Sequence, residues 1–218
     1  RAEGKFWVAD IPEVASGDWH FSQFWVDGVR CTPARTPNGK NGAGDFPEGD
    51  ELFYAAGPVM VKKGEETDRS ATQFRYIEGD LQDWDSLEDA IVVVYHSWET
   101  ALMRPQSIDT EKNIIGFTGG TNWGFGRWRS DQRYHIEHLF EGLDQPGEWF
   151  LNRKEGRLYY LPRPGEDMTT ANAVAPVAKQ LLRLEGDPKS GAFVEHFRFE
   201  GLKFHYTEYT VKPEGHSD

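Results

Sequence analysis

The end of the chain holds the feature that most constrains its fold, a five-residue phrase that occurs twice. Leu182-Arg183-Leu184-Glu185-Gly186 returns fifteen residues later as Phe197-Arg198-Phe199-Glu200-Gly201. Each copy alternates apolar and polar residues and closes on glycine, a pattern typical of a short, half-buried strand that ends at a corner. The C-terminal part of the chain is therefore predicted to consist of short strands separated by glycine corners.

The apolar phase of this region slips by one residue at Gly201, because Leu202 and Phe204 follow Phe199 out of step. A slip of one reverses the face of every later side chain, so we expect a bend or bulge at Gly201. Strands of this kind suit a parallel β-solenoid, in which each coil buries its apolar face only against the next. We expect residues 1–176 to form one domain and residues 177–218 to begin a solenoid that is truncated here.

Composition narrows the class of protein and of partner. The 218 residues include 23 Gly, 14 Phe, 8 Trp and 8 Tyr, a balance that favours many short strands and long loops. The formal net charge of −12 argues against a nucleic-acid partner but is compatible with a neutral sugar. No apolar run is long enough to predict a membrane span. Cys31 is the single cysteine, which excludes an intrachain disulfide and favours a buried, inert thiol.

Local signals predict a mainly-β domain. Asp27-Gly28 between apolar runs predicts a hairpin, and a second hairpin is expected to turn through residues 154–156. The β-branched run at 91–95 is the best candidate for a central strand, whereas residues 134–143 have helical apolar spacing and are the one convincing helix. Residues 37–50 read as a long irregular loop. The prediction is an antiparallel β-sandwich with one short helix, followed by the solenoid start.

The usual signatures of catalysis and of cofactor binding are absent from the sequence, so no cofactor and no metal are predicted. His135-Ile136-Glu137-His138 comes nearest to a metal cluster, but a site needs a third ligand, and a surface helix face is the favoured interpretation. Asp144 and Glu148 bracket Gln145-Pro146-Gly147 and are candidates for a pair of catalytic carboxylates. Turn chemistry is the favoured interpretation of that pair.

Residues 119–129 combine glycines with aromatic and basic side chains, which suits stacking on sugar rings and hydrogen bonding to hydroxyls or carboxylates. An aromatic plug that closes the end of a sandwich explains the same composition equally well. Arg35 is either a salt-bridge anchor or a cation that faces substrate. The candidate glycan-contacting residues are Trp123, Phe125, Trp128, Arg127, His96, Trp98 and Arg35.

Several stretches, taken together and in order, give the sequence a family resemblance. They are Phe24-Trp25-Val26-Asp27-Gly28-Val29-Arg30, Ala34-Arg35-Thr36-Pro37-Asn38, Leu143-Asp144-Gln145-Pro146-Gly147-Glu148-Trp149-Phe150-Leu151, Gly156-Arg157-Leu158-Tyr159-Tyr160-Leu161-Pro162 and Phe197-Arg198-Phe199-Glu200-Gly201-Leu202-Lys203-Phe204. In these stretches the chain resembles right-handed parallel β-helix proteins of polysaccharide degradation that carry an inserted β-sandwich. Xylosidase- and fucosidase-type glycoside hydrolases are among them.

The resemblance implies that the chain comprises the sandwich and the first coil of the β-helix, with the catalytic carboxylates on later coils. No residue here matches a catalytic position. The expected role is a noncatalytic module of a glycoside hydrolase that binds a polysaccharide or oligosaccharide beside the cleft and packs on the remaining β-helix. A purely structural cap of the β-helix is the first alternative, and a self-contained hydrolase using Asp144 and Glu148 is the second. The resemblance also implies a secreted or periplasmic location.

Overall fold

The protein is described by a computed structural model, in which residues 6–39, 52–59 and 69–217 can be described. The strands in chain order are β1 Trp7–Asp10, β2 Trp25–Val26, β3 Val29–Arg30, β4 Thr32–Pro33, β5 Arg35–Thr36, β6 Phe53–Pro58, β7 Gln73–Tyr76, β8 Ile91–Tyr95, β9 Thr100–Met103, β10 Pro105–Asp109, β11 Ile114–Phe117, β12 Arg133–Glu137, β13 Glu148–Asn152, β14 Arg157–Tyr160 and β15 Ala173–Val174. The described residues contain one short α-helix, α1 Pro12–Ala15, and 3₁₀ turns at Leu87–Asp89 and Phe140–Gly142.

The largest sheet has eight strands in the order β10-β11-β7-β6-β12-β8-β9, with β5 also paired to β12. Its strands pair antiparallel, and β8 lies between β12 and β9, which confirms residues 91–95 as a central strand. Side chains from six of its strands form one core cluster that includes Phe74, Val92 and Ile136. The sheet therefore curls around its own apolar face instead of packing flat against a second layer.

A second body of structure is built on the four-stranded sheet β1-β14-β13-β4. Residue alternation in β13 sends Trp149 and Leu151 to one face and Phe150 to the other, and both faces are buried in separate clusters. The hairpin of β13 with β14 and the hairpin of β2 with β3 are confirmed. Both Asp27 and Gly28 adopt positive φ, at 49° and 77°, as a two-residue hairpin turn requires.

The predicted helix at residues 134–143 is wrong. The segment is strand β12 followed by the 3₁₀ turn Phe140–Gly142, with His138 at φ +56° between them. The helix was predicted from the helical spacing of Ile136, Leu139 and Phe140. Antiparallel pairing of β12 with β8 outweighs this local pattern and makes the segment a strand. In the strand, Tyr134 and Ile136 point to the core and His135 and Glu137 to the opposite face.

Cys31 is a free, buried cysteine, as predicted. In the described part of the chain, no helix is both long enough and apolar enough to cross a membrane. Most of the predicted loop, at residues 40–50, lies outside the described residues.

The mainly-β class with one short helix is confirmed, but a β-helix is not shown. Residues 177–206 form irregular chain with bends and a turn, and the isolated antiparallel bridge between Asp187 and Ala192 is their one β-pairing among the described residues. We call residues 177–206 the apolar tail, because many of its large side chains are exposed. They are Val177, Leu181, Leu182, Leu184, Phe193, Val194, Phe197, Phe199, Leu202 and Phe204.

The apolar tail bends at Gly201, which has φ +70°, as the slip in apolar phase predicts. The residues that follow return to the eight-stranded sheet. Leu102 and His216 exchange backbone hydrogen bonds of 2.8 Å, and the Arg104 guanidinium donates to the carbonyl oxygens of Val211 and Lys212. The tail is therefore anchored at its C-terminal side, while its apolar side chains stay in solvent.

We predict that truncating a core and a tail phenylalanine will have very different effects. Phe74 is fully buried and Phe197 is 69 % exposed. Phe74→Ala should lower the free energy of unfolding by about 3–5 kcal/mol, because it leaves a cavity in the curled sheet. Phe197→Ala should change it by less than about 0.5 kcal/mol. Urea denaturation followed by tryptophan fluorescence measures both, and an equal loss in the two variants would contradict the division into core and tail.

Candidate functional site

Three tryptophans meet at the surface at one end of the eight-stranded sheet. The ring centroids of Trp98 and Trp128 are 4.4 Å apart, those of Trp123 and Trp128 are 5.0 Å apart, and all three pairs pack edge to face. Trp98 is 66 % exposed and Trp128 is 41 % exposed. The Arg127 guanidinium lies over Trp123 at 4.7 Å and over Trp128 at 5.1 Å. We call these four side chains the tryptophan platform.

Two separate segments supply the platform. Trp98 lies in the turn between β8 and β9, which is closed by the backbone hydrogen bond from His96 N–H to the Glu99 carbonyl. Trp123, Arg127 and Trp128 lie in the long connection between β11 and β12. Adjacent strands β8 and β12 bring the two segments together, since the register places Tyr95 opposite Arg133.

Phe125 anchors the connection between β11 and β12 to the core. Its ring is buried and contacts Phe74, Phe117 and the His96 ring at centroid distances of 5.1–5.7 Å. Backbone hydrogen bonds from Phe125 to Ser70 and from Thr121 to Ala71 fix the backbone on either side. The sequence left a sugar-binding surface and an aromatic plug as equal alternatives. Phe125 is the plug, whereas the tryptophans beside it stay at the surface.

Gly126 must be glycine for the connection to adopt this path. Its φ is +82°, and a Cβ there would lie 2.6 Å from Cδ of Pro58. A side chain would therefore be both strained and in collision with the neighbouring strand. The tight approach turns the chain sharply between buried Phe125 and exposed Arg127.

His96 is held in one orientation and one tautomer. The N–H of Gly126 donates to Oε1 of Gln132 at 2.9 Å, so the other end of that side chain is the amide nitrogen. This Nε2 donates to Nδ1 of His96 at 2.9 Å, which leaves the ring proton on Nε2 of the histidine. Burial lowers the pKa of His96 and keeps the ring neutral. Its Nε2–H is a buried donor without a partner in the described residues.

A recess of about 240 Å³ opens beside the platform. Within it, Arg129 forms two hydrogen bonds with Asp131, of 3.1 and 2.9 Å, and the Arg133 guanidinium lies 5.7 Å from the Tyr95 ring. Burial raises the pKa of Tyr95 to about 12, so its hydroxyl is protonated at neutral pH. The recess is lined by Tyr95, His96, Ser97, Arg129, Asp131, Gln132 and Arg133.

Arg35 does not join the platform. It lies in β5 opposite Glu137, at the end of β12 that pairs with Ile91, whereas the platform adjoins the Arg133 end. The two ends of the strand are four residues apart, which corresponds to roughly 13 Å along β12. Arg35 is buried and lines a separate cleft of about 620 Å³ together with Glu137 and His138. The sequence candidates therefore fall into two places on the protein.

The His135-Ile136-Glu137-His138 segment forms a hydrogen-bonded pair rather than a helix face. Nε2 of His135 and Oε1 of Glu137 are 3.0 Å apart on the same face of β12. Burial raises the pKa of Glu137, but the contact with His135 and nearby positive charge outweigh it and leave the pKa lowered. The described residues contain no group of three His, Cys, Asp or Glu side chains that could hold a metal ion.

Glu148 stabilises a turn from within. Its carboxylate Oε2 accepts the backbone N–H groups of Asp144 and Gln145 at 3.0 and 2.9 Å, and the residue is 2 % exposed. Asp144 is exposed and accepts a hydrogen bond from the Asn38 side chain at 2.6 Å. The prediction of turn chemistry for this pair is confirmed. Burial raises the pKa of Glu148 to about 7.

Sequence reasoning missed Gln132 and Arg133, which line the recess, and it included Arg129 only as part of the aromatic and basic segment 119–129. One signal could have pointed to the arginines. Residues 119–133 contain three arginines and one aspartate, although the whole chain has a net charge of −12. Gln132 left no such signal, because its role depends on a histidine 36 residues away.

The fold is shared with a solved structure described as a glycoside hydrolase. The likeness has a TM-score of 0.68 at 20 % sequence identity and covers 96 % of this chain. The chain spans about a third of that protein, 35 % of its length. No family model and no curated protein matches the sequence. At this identity the likeness shows a common fold.

We predict that Glu148→Gln will make the protein more stable at neutral pH. The folded-state pKa of about 7 lies above the ordinary value of 4.5, so the folded state binds the proton more tightly than the unfolded state. The contribution of Glu148 to the free energy of unfolding is fully present below pH 4.5 and is lost as the pH rises through 7. A glutamine keeps an acceptor oxygen for the two backbone N–H groups but cannot ionise.

The variant should match the wild type near pH 4.5 and exceed it by on the order of 3 kcal/mol near pH 8. Urea denaturation at intervals between pH 4.5 and 8 measures the difference. Glu155→Gln is the control, because this exposed side chain should show no such trend. A constant difference between Glu148→Gln and the wild type across the range would contradict the prediction.

Proposed function

We propose that the chain is a noncatalytic carbohydrate-binding module of a glycoside hydrolase-like protein and that the tryptophan platform contacts the sugar. The observation that carries this proposal is the cluster of Trp98, Trp123 and Trp128, held at the surface under Arg127. Large aromatic rings at a surface are costly to leave in water, and flat apolar faces of this kind suit pyranose rings.

The platform is rigid before any ligand arrives, which favours affinity. Trp side chains have few rotatable bonds, and each ring here contacts the other two. The backbone that carries Trp123 and Trp128 is held by buried Phe125 and by hydrogen bonds to residues 70 and 71. Less conformational entropy is therefore lost on binding. Phe125 and His96 act in this proposal as positioning residues beneath the contact surface.

A noncatalytic role is supported by the state of the two acids that the sequence offered as a catalytic pair. The Glu148 carboxylate accepts two backbone hydrogen bonds inside a turn, and Asp144 lies at the surface. A glycosidase needs two carboxyl groups that face each other across a substrate cleft. In this proposal the activity of the parent protein resides outside residues 1–218, and the parent is secreted or periplasmic.

The comparison supports a link to carbohydrates. The protein that shares the fold is described as a glycoside hydrolase, and the chain covers 35 % of its length. A module of such a protein would be placed to hold a polysaccharide near a catalytic cleft. The proposal for the present chain rests on the platform, with the shared fold as secondary support.

A structural cap of a β-helix is the second candidate function, and the apolar tail favours it. Its exposed residues include both copies of the repeated phrase, with Leu182, Leu184, Phe197 and Phe199 in solvent. A run of large exposed apolar side chains of this kind is typical of a contact surface. Packing of further β-helix coils on the tail would bury these side chains and supply strand partners. Binding and capping functions use different surfaces and are compatible.

The platform is tested by removing its exposed rings. Trp98→Ala and Trp128→Ala should each weaken retention on a bound polysaccharide at least fivefold. Each variant loses one aromatic ring that stacks on a sugar, which removes about 1 kcal/mol or more of binding free energy. Affinity electrophoresis of the purified chain through gels that contain a panel of plant and algal polysaccharides measures retention. Thermal melting should show less change in these variants than in Phe74→Ala.

Trp7→Ala is the matched control, since Trp7 is 47 % exposed but lies in β1 of the other sheet. It should leave retention unchanged. If no polysaccharide in the panel retains the wild-type protein, or if Trp7→Ala weakens retention as much as Trp128→Ala, the binding proposal fails and the structural cap becomes the leading function.

A further inference from the structure

The segment that carries Trp123, Arg127 and Trp128 is basic on an otherwise acidic protein. The chain has 36 acidic and 24 basic residues, yet residues 119–133 contain Arg127, Arg129 and Arg133 with Asp131 as the sole carboxylate. The acidic surface already makes the protein soluble, so these arginines are not needed for solubility. A local excess of positive charge instead favours a negatively charged ligand.

Two of these three guanidinium groups are not neutralised within the protein. Arg129 is paired with Asp131 through two hydrogen bonds. Arg127 lies over two tryptophan rings and Arg133 lies over the Tyr95 ring, and neither has a carboxylate partner in the described residues. Both are exposed. Stacking on aromatic faces leaves the N–H edges of a guanidinium able to donate hydrogen bonds.

The recess beside the platform offers mainly hydrogen-bond donors. Arg133 and Ser97 line it with N–H and O–H groups, and Asp131, the one carboxylate in its lining, is paired with Arg129. The volume of about 240 Å³ is below the roughly 300–1,000 Å³ of pockets that enclose a whole small ligand. The recess is therefore of a size for a substituent of a sugar whose ring lies on the adjacent tryptophans.

We infer that the platform and recess together bind an acidic glycan. The sugar ring stacks on the tryptophans, and its anionic group, a carboxylate or a sulfate ester, pairs with Arg133 in the recess and with the edge of Arg127. This inference rests on the proposed function and specifies its substrate class. Charge-assisted hydrogen bonds to guanidinium are about twice as strong as neutral ones, so unpaired arginines select an anion over a hydroxyl.

The test compares polysaccharides that differ only in charge. Polygalacturonate against its methyl-esterified form isolates a carboxylate, and dextran sulfate against dextran isolates a sulfate ester. The wild-type chain should bind the charged member of at least one pair tenfold or more tightly than the uncharged member, as measured by affinity electrophoresis and titration calorimetry. The pair that shows the preference identifies the anion.

Arginine variants locate the selectivity. Arg133→Gln and Arg127→Gln should each weaken binding of the charged polysaccharide about tenfold and reduce the preference for it. Arg133→Lys should restore part of the loss, because the charge returns without the planar fork. Arg30→Gln is the matched control: it removes the same charge from an exposed residue of β3, in a different sheet, and should change nothing.

Equal binding of charged and uncharged members, with binding still lost in Trp128→Ala, would overturn the acidic-glycan inference and leave the platform as a binding site for neutral sugars. A charge preference that survives both Arg133→Gln and Arg127→Gln would also overturn it. Absence of binding to every member of both pairs and to the wider panel would defeat the inference and the proposed function together.

Discussion

The ladder between β8 and β12 is the interaction on which the rest of the structure depends. Five residue pairs, from Arg133 opposite Tyr95 to Glu137 opposite Ile91, fix the register of two central strands. That register sends Tyr134 and Ile136 into the core and His135 and Glu137 to the other face. It also decides what lies at each end. The platform and recess adjoin Arg133, and the Arg35 cleft adjoins Glu137.

Phe125 converts a long connection into a rigid part of the surface. A connection of this length with several glycines would ordinarily be mobile. One buried aromatic ring that contacts Phe74 and Phe117 ties its middle to the core, and the neighbouring tryptophans are displayed as a consequence. The same ring stacks on His96, so the buried support of the platform and the orientation of the His96 ring depend on each other.

The apolar tail is the part of the chain in which sequence pattern and observed packing differ most. Its alternation of apolar and polar residues is that of strands, but within the described residues it has neither a neighbouring strand nor an apolar layer to cover it. A strand is stable when a neighbouring strand accepts and donates its backbone hydrogen bonds and when its apolar face is buried. Within the described part of the chain, the strand-like pattern of the tail therefore has no partner that would satisfy it.

Sequence alone determined the features whose cause is local. The turn at Asp27-Gly28 follows from two positions of positive φ, the bend at Gly201 follows from a slip in apolar phase, and strand β8 follows from a β-branched run. The mainly-β class, the aromatic character of residues 119–129 and the turn role favoured for Glu148 are of the same kind.

Tertiary structure decided whatever depends on residues distant in sequence. Pairing with β8 made residues 133–137 a strand despite their helical spacing, because ladder hydrogen bonds and burial of two faces outweigh local propensity. The same pairing brought Trp98 against Trp128, placed Gln132 on His96 and separated Arg35 from both. The sequence supplied the aromatic and basic side chains of the platform, but only the sheet register assembled them, since side chains on adjacent strands meet according to pairing and not according to their order along the chain.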